Sequence, residues 1–197
     1  MEPVTLHNMP SSTGWIEVIC GCMFSGKTEE LIRRLRRAQI ARQRVVIFKP
    51  KVDNRYSTSH IVSHSEQSLT SNVIDKPYEI MELGDRAQVI GIDEAQFFPL
   101  EIVEVCDRLA NMGKRVIAAG LDQDYRGRPF GPIPNLLAVA EYITKTLAIC
   151  MVCGNPADRT QRITKQQELV VVGARDVYEA RCRKCFVPPV DGEMLKD

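Results

Sequence analysis

Short apolar runs alternate along the chain with stretches in which apolar residues recur every three or four positions. The apolar runs are WIEVICG at 15–21, RVVIFK at 44–49, QVIGID at 88–93 and RVIAAG at 115–120. Helical spacing is found in TEELIRRLRRAQIARQ at 28–43, LEIVEVCDRLANMG at 100–113 and NLLAVAEY at 135–142. Strands that alternate with helices predict an α/β fold, with helices on both faces of a mostly parallel sheet.

The first apolar run leads directly into a glycine-containing sequence, GCMFSGKT at 21–28. This is the G-x-x-x-x-G-K-[ST] pattern of a phosphate-binding loop, in which Gly21 and Gly26 let backbone N–H groups turn toward phosphate oxygens. In such a loop Lys27 reaches the β- and γ-phosphates, and the Thr28 hydroxyl can ligate Mg²⁺. The pattern therefore predicts that the chain binds a nucleoside triphosphate.

Two adjacent carboxylates follow the third apolar run. Asp93 ends the run, and an aspartate at the end of a strand beside a phosphate loop can hold Mg²⁺. Glu94 could accept a proton from an attacking hydroxyl group, as phosphoryl transfer onto an alcohol requires. The alternative is that both residues merely end a buried strand near solvent. A complete phosphate loop upstream favours the catalytic interpretation.

The sequences GKT at 26–28 and DEAQ at 93–96 also resemble the first two motifs of nucleic-acid helicases. Such motors enclose ATP between two similar domains, and too few residues follow the carboxylate pair to form a second one. The net charge of +1 lacks the basic excess that binding to a phosphate backbone requires. We therefore expect no nucleic-acid partner. The polar face of the first predicted helix, which is expected to be solvated, carries arginines at 33, 34, 36 and 37.

Two C-x-x-C pairs, CMVC and CRKC, lie near the end of the sequence. Each pair can supply two corners of a tetrahedral site, so the expected ligands of a structural zinc ion are Cys150, Cys153, Cys182 and Cys185. Unrelated core cysteines, a redox dithiol and a zinc ribbon that binds nucleic acid are the alternatives. The other three cysteines, interpreted as core residues or as a peculiarity of the phosphate loop, are Cys20, Cys22 and Cys106.

These patterns predict a P-loop, RecA-like sheet domain at 15–149 and a small zinc-tethered lasso domain at 150–188. A flexible tail at 1–14 precedes them, and a second tail at 189–197 follows. The metal would hold together the ends of the excursion at 154–181. The serine-rich segment at 53–72 is interpreted as a long, mobile surface loop or irregular insertion.

No apolar run approaches the length of a membrane-spanning helix. The first fourteen residues, MEPVTLHNMPSSTG, lack the basic and then apolar pattern of a secretory signal. A cytoplasmic protein without a membrane partner is therefore expected.

Several motifs in order closely resemble the zinc-bearing (type II) class of thymidine kinases, from about residue 15 to residue 188. They are the two C-x-x-C pairs, MFSGKT, KPKVDNRYS, GIDEAQFF and GLDQDYRGRPFGP. The resemblance implies transfer of the γ-phosphate of ATP to the 5′-hydroxyl of thymidine, giving thymidine monophosphate in deoxynucleotide salvage. It also implies a homotetramer that is inhibited by the end product, dTTP.

The resemblance also implies which residues form the donor site. Lys27 holds the phosphates, Thr28 and Asp93 hold Mg²⁺, Glu94 is the base, and Arg55 counters charge in the transition state. The full set of residues at the ATP site is Gly21, Cys22, Met23, Phe24, Ser25, Gly26, Lys27, Thr28, Asp53, Asn54, Arg55, Asp93 and Gln96.

The implied nucleoside site has two parts. Its apolar pocket for thymine comprises Met23, Phe97, Leu121, Tyr125 and Phe130. The loop that closes over the nucleoside, and whose main chain reads the base edges, contains Leu169, Val170, Val171, Val172, Gly173 and Tyr178. Ordinary core packing is the alternative for each apolar pocket residue.

Three residues depart from the usual pattern of this class. Cys22 stands where proline is usual, Thr28 where serine is common, and Tyr125 where phenylalanine is common. Thr28 keeps the hydroxyl, whereas Tyr125 adds a phenol at the base pocket and could shift selectivity. Cys22 beside the phosphates motivates the hypothesis that oxidation slows the enzyme.

Two other classes of protein stay open, a zinc-ribbon ATPase bound to nucleic acid and a nucleotide-binding regulatory module without turnover.

Overall fold

A six-stranded parallel sheet lies at the centre of the computed structural model, which describes residues 13–51, 60–62, 68–164 and 176–189. Its strands are β1 (Trp15–Cys20), β2 (Val45–Pro50), β5 (Asn72–Ile74), β6 (Val89–Ile92), β7 (Arg115–Gly120) and β8 (Tyr142–Lys145). Their spatial order is β5-β2-β6-β7-β1-β8, and every neighbouring pair is parallel. The predicted mostly parallel sheet is thus confirmed.

Helices cover both faces of the sheet, as the alternation of motifs predicted. Within the described residues they are α1 (Lys27–Ile40), α2 (Glu79–Leu83), α3 (Glu101–Asn111) and α4 (Ile133–Val139). Helix α1 buries Leu31 and Leu35 in a cluster with Ile19 of β1, whereas α3 buries Ile102 in a second cluster with Val18. Successive β1 residues therefore face opposite apolar layers, as expected for a strand covered on both sides. None of the helices that the structure describes is long and apolar enough to cross a membrane.

The serine-rich segment contains more regular structure than the sequence predicted. Strand β3 (His60–Val62) pairs in antiparallel fashion with β4 (Ser68–Thr70), and β5 then joins the main sheet beside β2. The prediction of a loop or irregular insertion is therefore wrong for these short strands. The rest of that segment, at 53–59 and 63–67, lies outside the described residues. So do the predicted tails, except for residues 13, 14 and 189.

A small antiparallel lobe follows the sheet. Strand β9 (Ala148–Ile149) pairs with β10 (Pro156–Ala157), and β11 (Arg159–Arg162) pairs with β12 (Tyr178–Arg181). The amide of Met151 donates to the carbonyl of Ala180 at 2.9 Å, which ties the two hairpins together. We call residues 148–162 and 176–186 the cysteine lobe, because all four cysteines of the C-x-x-C pairs lie in it.

A buried carboxylate on β1 joins the sheet to helix α1. Glu17 is 4% exposed and accepts hydrogen bonds from Arg34 at 2.7 Å and from Arg115 at 2.5 Å. Burial acts to raise the pKa of Glu17, but the bonds from Arg115, Trp15 and Arg34 outweigh it and lower that pKa. The prediction that all four helix arginines are solvated is therefore wrong for Arg34, although Arg33 is exposed.

Removing the charge of Glu17 should destabilise the protein strongly. In Glu17→Gln the partly buried guanidinium of Arg115 would lose its carboxylate, while Arg34 would keep only its pair with Glu30. Leaving a buried charge without its partner typically costs about 3 kcal/mol or more of unfolding free energy. The matched control is Glu104→Gln, whose ion pair with Arg108 is exposed on α3 and should contribute less than about 1 kcal/mol. Urea unfolding followed by circular dichroism measures both variants. Equal losses would show that the Glu17 pairs contribute no more than a surface pair.

Candidate active site

The loop at 21–28 connects β1 to α1 at the carboxyl edge of the sheet. It turns through three residues with positive φ, namely Gly21 at 145°, Phe24 at 66° and Gly26 at 82°. A Cβ on Gly21 would lie 2.3 Å from the carbonyl oxygen of Thr146, so only glycine fits there. Helix α1 then begins at Lys27, and the N–H groups of a first helical turn have no partners within the helix. This geometry suits an anion such as a phosphate group.

The side chain of Lys27 reaches back to the first half of this loop. Its Nζ donates to the carbonyl oxygen of Cys22 at 2.7 Å. Burial lowers the pKa of Lys27, and the negative charges of Glu94 and Asp93 oppose that shift. The ammonium group and both carboxylates therefore share one electrostatic environment.

The two adjacent carboxylates have opposite surroundings. Asp93 is only 7% exposed, and the Thr28 hydroxyl lies 3.4 Å from each of its carboxylate oxygens. Burial and then the charge of Glu94 raise the pKa of Asp93 to about 7. Glu94 is exposed, so its carboxylate is accessible to a substrate. The structure thus brings together Thr28, Asp93 and Glu94 as the sequence predicted, with one carboxylate buried and one open.

Gln96 holds Glu94 in place. Glu94 adopts a left-handed conformation with a φ of 51°, and its Oε2 accepts a hydrogen bond from Gln96 Nε2 at 2.5 Å. The Gln96 Oε1 accepts in turn from the amide of Leu121 at 3.0 Å. A Cβ on Gly131 would lie 2.2 Å from the Gln96 carbonyl oxygen, so a glycine permits this close approach. Gln96 therefore links the exposed carboxylate to the end of β7.

Four aromatic residues of the predicted nucleoside site, three from the thymine pocket and Tyr178 from the closing loop, form two groups. Tyr125 and Tyr178 are buried and pack with Met23 of the phosphate loop. Phe97 and Phe130 form an edge-to-face pair, with ring centroids 5.7 Å apart and planes at 88°. The remaining predicted residues, which lie outside the described part of the chain, are Asp53, Asn54, Arg55, Leu169, Val170, Val171, Val172 and Gly173.

Sequence reasoning missed Arg162, a buried residue of β11. Its guanidinium carbon lies 3.6 Å from the ring centroid of Tyr125, and its Nη2 donates to the Tyr178 hydroxyl at 2.6 Å. The hydroxyl of Tyr125 accepts from Arg126 Nε at 3.0 Å, so the phenol that departs from the family pattern has an arginine partner. Arg162 thus holds two tyrosines side by side. Its only sequence signal was its place in a polar strand inside the excursion between the cysteine pairs.

Cys22 is deeply buried, at 2% exposure, and burial raises the pKa of its thiol. Cys20 and Cys106 are also buried, which confirms that all three cysteines outside the C-x-x-C pairs belong to the core. Because oxidation requires an accessible thiolate, this environment argues against the hypothesis that Cys22 is an oxidation-sensitive residue.

Cys150, Cys153, Cys182 and Cys185 form the predicted cluster. Their four sulfur atoms all lie within 4.8 Å of one another, and those of Cys153 and Cys182 are 3.6 Å apart. Zinc–thiolate bonds of about 2.3 Å in a tetrahedron place sulfurs nearly 4 Å apart, so the cluster fits a structural zinc ion. A backbone hydrogen bond from Cys185 lowers the pKa of Cys182, and Asn155 Nδ2 lies 3.5 Å from the Cys153 sulfur. Both contacts favour thiolate ligands.

A parallel sheet whose first strand leads into this loop, with Asp93 against Thr28, is typical of P-loop nucleotide-binding proteins. Comparison with protein families matches residues 14–186 to the thymidine kinase family. A thymidine kinase of Rhodothermus sp. (strain ITI 518) is 62% identical over 189 residues, covering 96% of this chain and 88% of that protein. The chain belongs to the thymidine kinase family, which confirms the resemblance found in its motifs.

Replacing Arg162 tests whether it organises the nucleoside pocket. In Arg162→Met, Tyr125 and Tyr178 lose a desolvated cation–π contact and a charged hydrogen bond, so we expect thymidine affinity to fall about tenfold or more. The affinity for ATP should change less than about twofold. Isothermal titration of each ligand measures both values.

The control is Arg159→Met on the same strand. Arg159 stacks on Phe186 and bonds to Gln123 rather than to the two tyrosines, so thymidine affinity should persist. Equal effects of the two variants would assign the loss to general destabilisation of β11.

Proposed function

We propose that this chain transfers the γ-phosphate of ATP to the 5′-hydroxyl of thymidine, giving thymidine monophosphate and ADP. The observation that carries this proposal is the exposed carboxylate of Glu94, which Gln96 holds in the same electrostatic environment as Lys27. Membership of the thymidine kinase family supports thymidine as the acceptor. The loop at 21–28 supports a nucleoside triphosphate as the donor.

Glu94 is the proposed general base. Its carboxylate would take the proton of the 5′-hydroxyl as the oxygen attacks the γ-phosphorus and the bond to the β-phosphate oxygen breaks. The hydrogen bond from Gln96 orients the group, and exposure keeps Glu94 within reach of the nucleoside. Asp93 is poorly suited to this task because it is buried and already shares its environment with Thr28. The two carboxylates therefore have different roles.

Thr28 and Asp93 are the proposed ligands of Mg²⁺. A hydroxyl and a carboxylate are the oxygen donors that this ion prefers, and a separation of 3.4 Å suits direct or water-mediated coordination. When bound, the ion would neutralise charge on the β- and γ-phosphates. Lys27 would leave the Cys22 carbonyl and bind the same phosphates, while Arg55 is proposed to counter charge in the transition state.

The nucleoside is proposed to bind between the two aromatic groups. Met23 belongs to the phosphate loop and packs with Tyr125 and Tyr178. The proposed thymine and phosphate sites therefore have Met23 in common. Leu121 is fixed by the hydrogen bond of its amide to Gln96. The main chain at 169–173 is proposed to close over the base. Because dTTP carries both thymine and a triphosphate, one molecule could fill both sites, which supports feedback inhibition by the end product.

A cytoplasmic role in deoxynucleotide salvage, without nucleic-acid or membrane partners, is proposed with this activity. A homotetramer is proposed as well. The edge strand β8 and the segment after it support association, because they expose the apolar side chains of Ile143, Leu147, Ile149, Met151 and Val152. The zinc-binding lasso domain at 150–188 is proposed as a distinct part of each subunit.

Glu94→Gln should separate catalysis from binding. The variant keeps the size of the side chain and removes the base, so we expect kcat to fall by about 10²–10⁴ while ATP affinity stays within about twofold. The control is Glu101→Gln, which changes an exposed glutamate at the start of α3 and should leave kcat unchanged. Near-normal turnover by Glu94→Gln would remove Glu94 from the mechanism.

The acceptor is tested by measuring ATP consumption with Mg²⁺ and thymidine, deoxycytidine, single-stranded DNA or no addition. We expect turnover to depend on thymidine and to yield the 5′-monophosphate. Stimulation by DNA alone would contradict the proposed kinase and favour an ATPase that acts on nucleic acid. ATP binding without turnover under every condition would instead indicate a regulatory module.

A further inference from the structure

The phosphate loop is packed directly against the cysteine lobe. Cys22 shares one buried cluster with Cys150 and Cys182, two of the four candidate metal ligands, and with Ala148, Ala157 and Ala180. Its sulfur lies 3.3 Å from the carbonyl oxygen of Ala157 and donates a hydrogen bond to it. Cys22, which follows Gly21 in the phosphate loop, therefore belongs to the core of the lobe.

The same residue contacts the lysine of the loop. The Cys22 carbonyl oxygen accepts the hydrogen bond from Lys27 Nζ at 2.7 Å. A displacement of Cys22 would therefore move the carbonyl that holds Lys27. Cys22 links the core of the lobe to the loop's cation through a single peptide unit.

A second contact fixes the next residue. The amide of Met23 donates to the Thr160 hydroxyl of β11 at 3.0 Å. By contrast, Ser25 bonds to Thr146, which follows β8 and lies before the lobe. The lobe thus sets the position of the first half of the loop, whereas the end of the sheet sets the second half.

We infer that Cys22 is a positioning residue that transmits the arrangement of the four-cysteine site to the phosphate loop, so that zinc in this site increases the affinity for ATP. The inference rests on the proposed use of ATP. Without an ion the four sulfur atoms have no common partner, and the two hairpins are held by backbone and packing contacts such as the hydrogen bond from Met151 to Ala180. Any shift of Cys150 and Cys182 would then alter the cluster around Cys22. Because coupling of two binding sites is reciprocal, bound ATP should increase the affinity of the lobe for zinc by the same factor. We expect this gain in affinity to appear as slower loss of zinc.

A purely local role for the metal makes a different prediction. If zinc only held the ends of the excursion at 154–181, its removal would affect the segment proposed to cover the nucleoside. Thymidine affinity would then fall and ATP affinity would not. Separate measurement of the two ligands distinguishes these possibilities.

The experiment uses the full chain, loaded with zinc or stripped by a chelator, with ATP and thymidine affinities measured by titration calorimetry. We expect zinc removal to weaken ATP binding about tenfold in the parent protein, within the usual range for coupled sites. Cys22→Ala should weaken ATP binding of the zinc-loaded protein and abolish most of its dependence on zinc. Cys22→Ser, which keeps the hydrogen-bond donor, should retain more of that dependence than Cys22→Ala.

Cys106→Ala is the matched control. Cys106 is also a fully buried cysteine, but it lies on α3 in a different cluster, so this variant should lose stability and keep the full dependence on zinc. The rate of zinc transfer to a coloured chelator gives a second measurement that does not require a stable zinc-free protein. Saturating ATP should slow this transfer severalfold in the parent and in Cys106→Ala, and should have little effect in Cys22→Ala.

Three results would overturn the inference. The first is equal ATP affinity of the parent with and without zinc, together with ATP-independent zinc release. The second is full zinc dependence in Cys22→Ala, which would assign the coupling to other residues. The third is a zinc-loaded parent that binds no ATP, in which case the proposed function fails as well.

Discussion

A loop that binds phosphate through its backbone cannot stabilise itself through the same backbone. Those N–H groups at 21–28 that are proposed to face a phosphate cannot also form the regular hydrogen bonds that hold a helix or strand. The surrounding side chains take over this task. Cys22 contacts the cysteine lobe, Met23 is held by Thr160, and Ser25 is held by Thr146. The end of β8 and the lobe lie beside the loop, and their contacts with it hold its conformation.

The neighbouring carboxylates show how one change in backbone direction gives adjacent residues two different environments. Asp93 continues the strand into the interior, where burial raises its pKa, while the left-handed conformation of Glu94 turns the next side chain out to solvent. Such a conformation costs on the order of 1 kcal/mol for a residue other than glycine. The hydrogen bond from Gln96 and the close approach of Gly131 offset that cost. Backbone strain at Glu94 is therefore supported by tertiary contacts.

The sequence predicted features that depend on local spacing and missed those that depend on distant partners. The loop at 21–28 and the cysteine pairs are compact motifs, and the structure contains a cysteine cluster that fits the predicted zinc ion. Arg34 and Arg162 look like surface residues in the sequence, because the residues that hold them away from solvent lie far away along the chain. Glu17 pairs with the partly buried Arg34, and Tyr125 stacks on the buried Arg162. Strand β8 was missed because YITK has only four residues, and the last two of them are polar. The burial of a charged residue can be inferred from sequence only when its partner is known.

The cysteine lobe shares its apolar core with the candidate active site. An independent domain has its own apolar core. Here the small cluster that includes Cys150 and Cys182 also includes Cys22, so the phosphate loop completes the core of the lobe. The aromatic group of Tyr125 and Tyr178 is likewise completed by Met23. Since residues 22 and 23 pack with both the loop and the lobe, the inferred coupling between the four cysteines and the loop has a direct structural route.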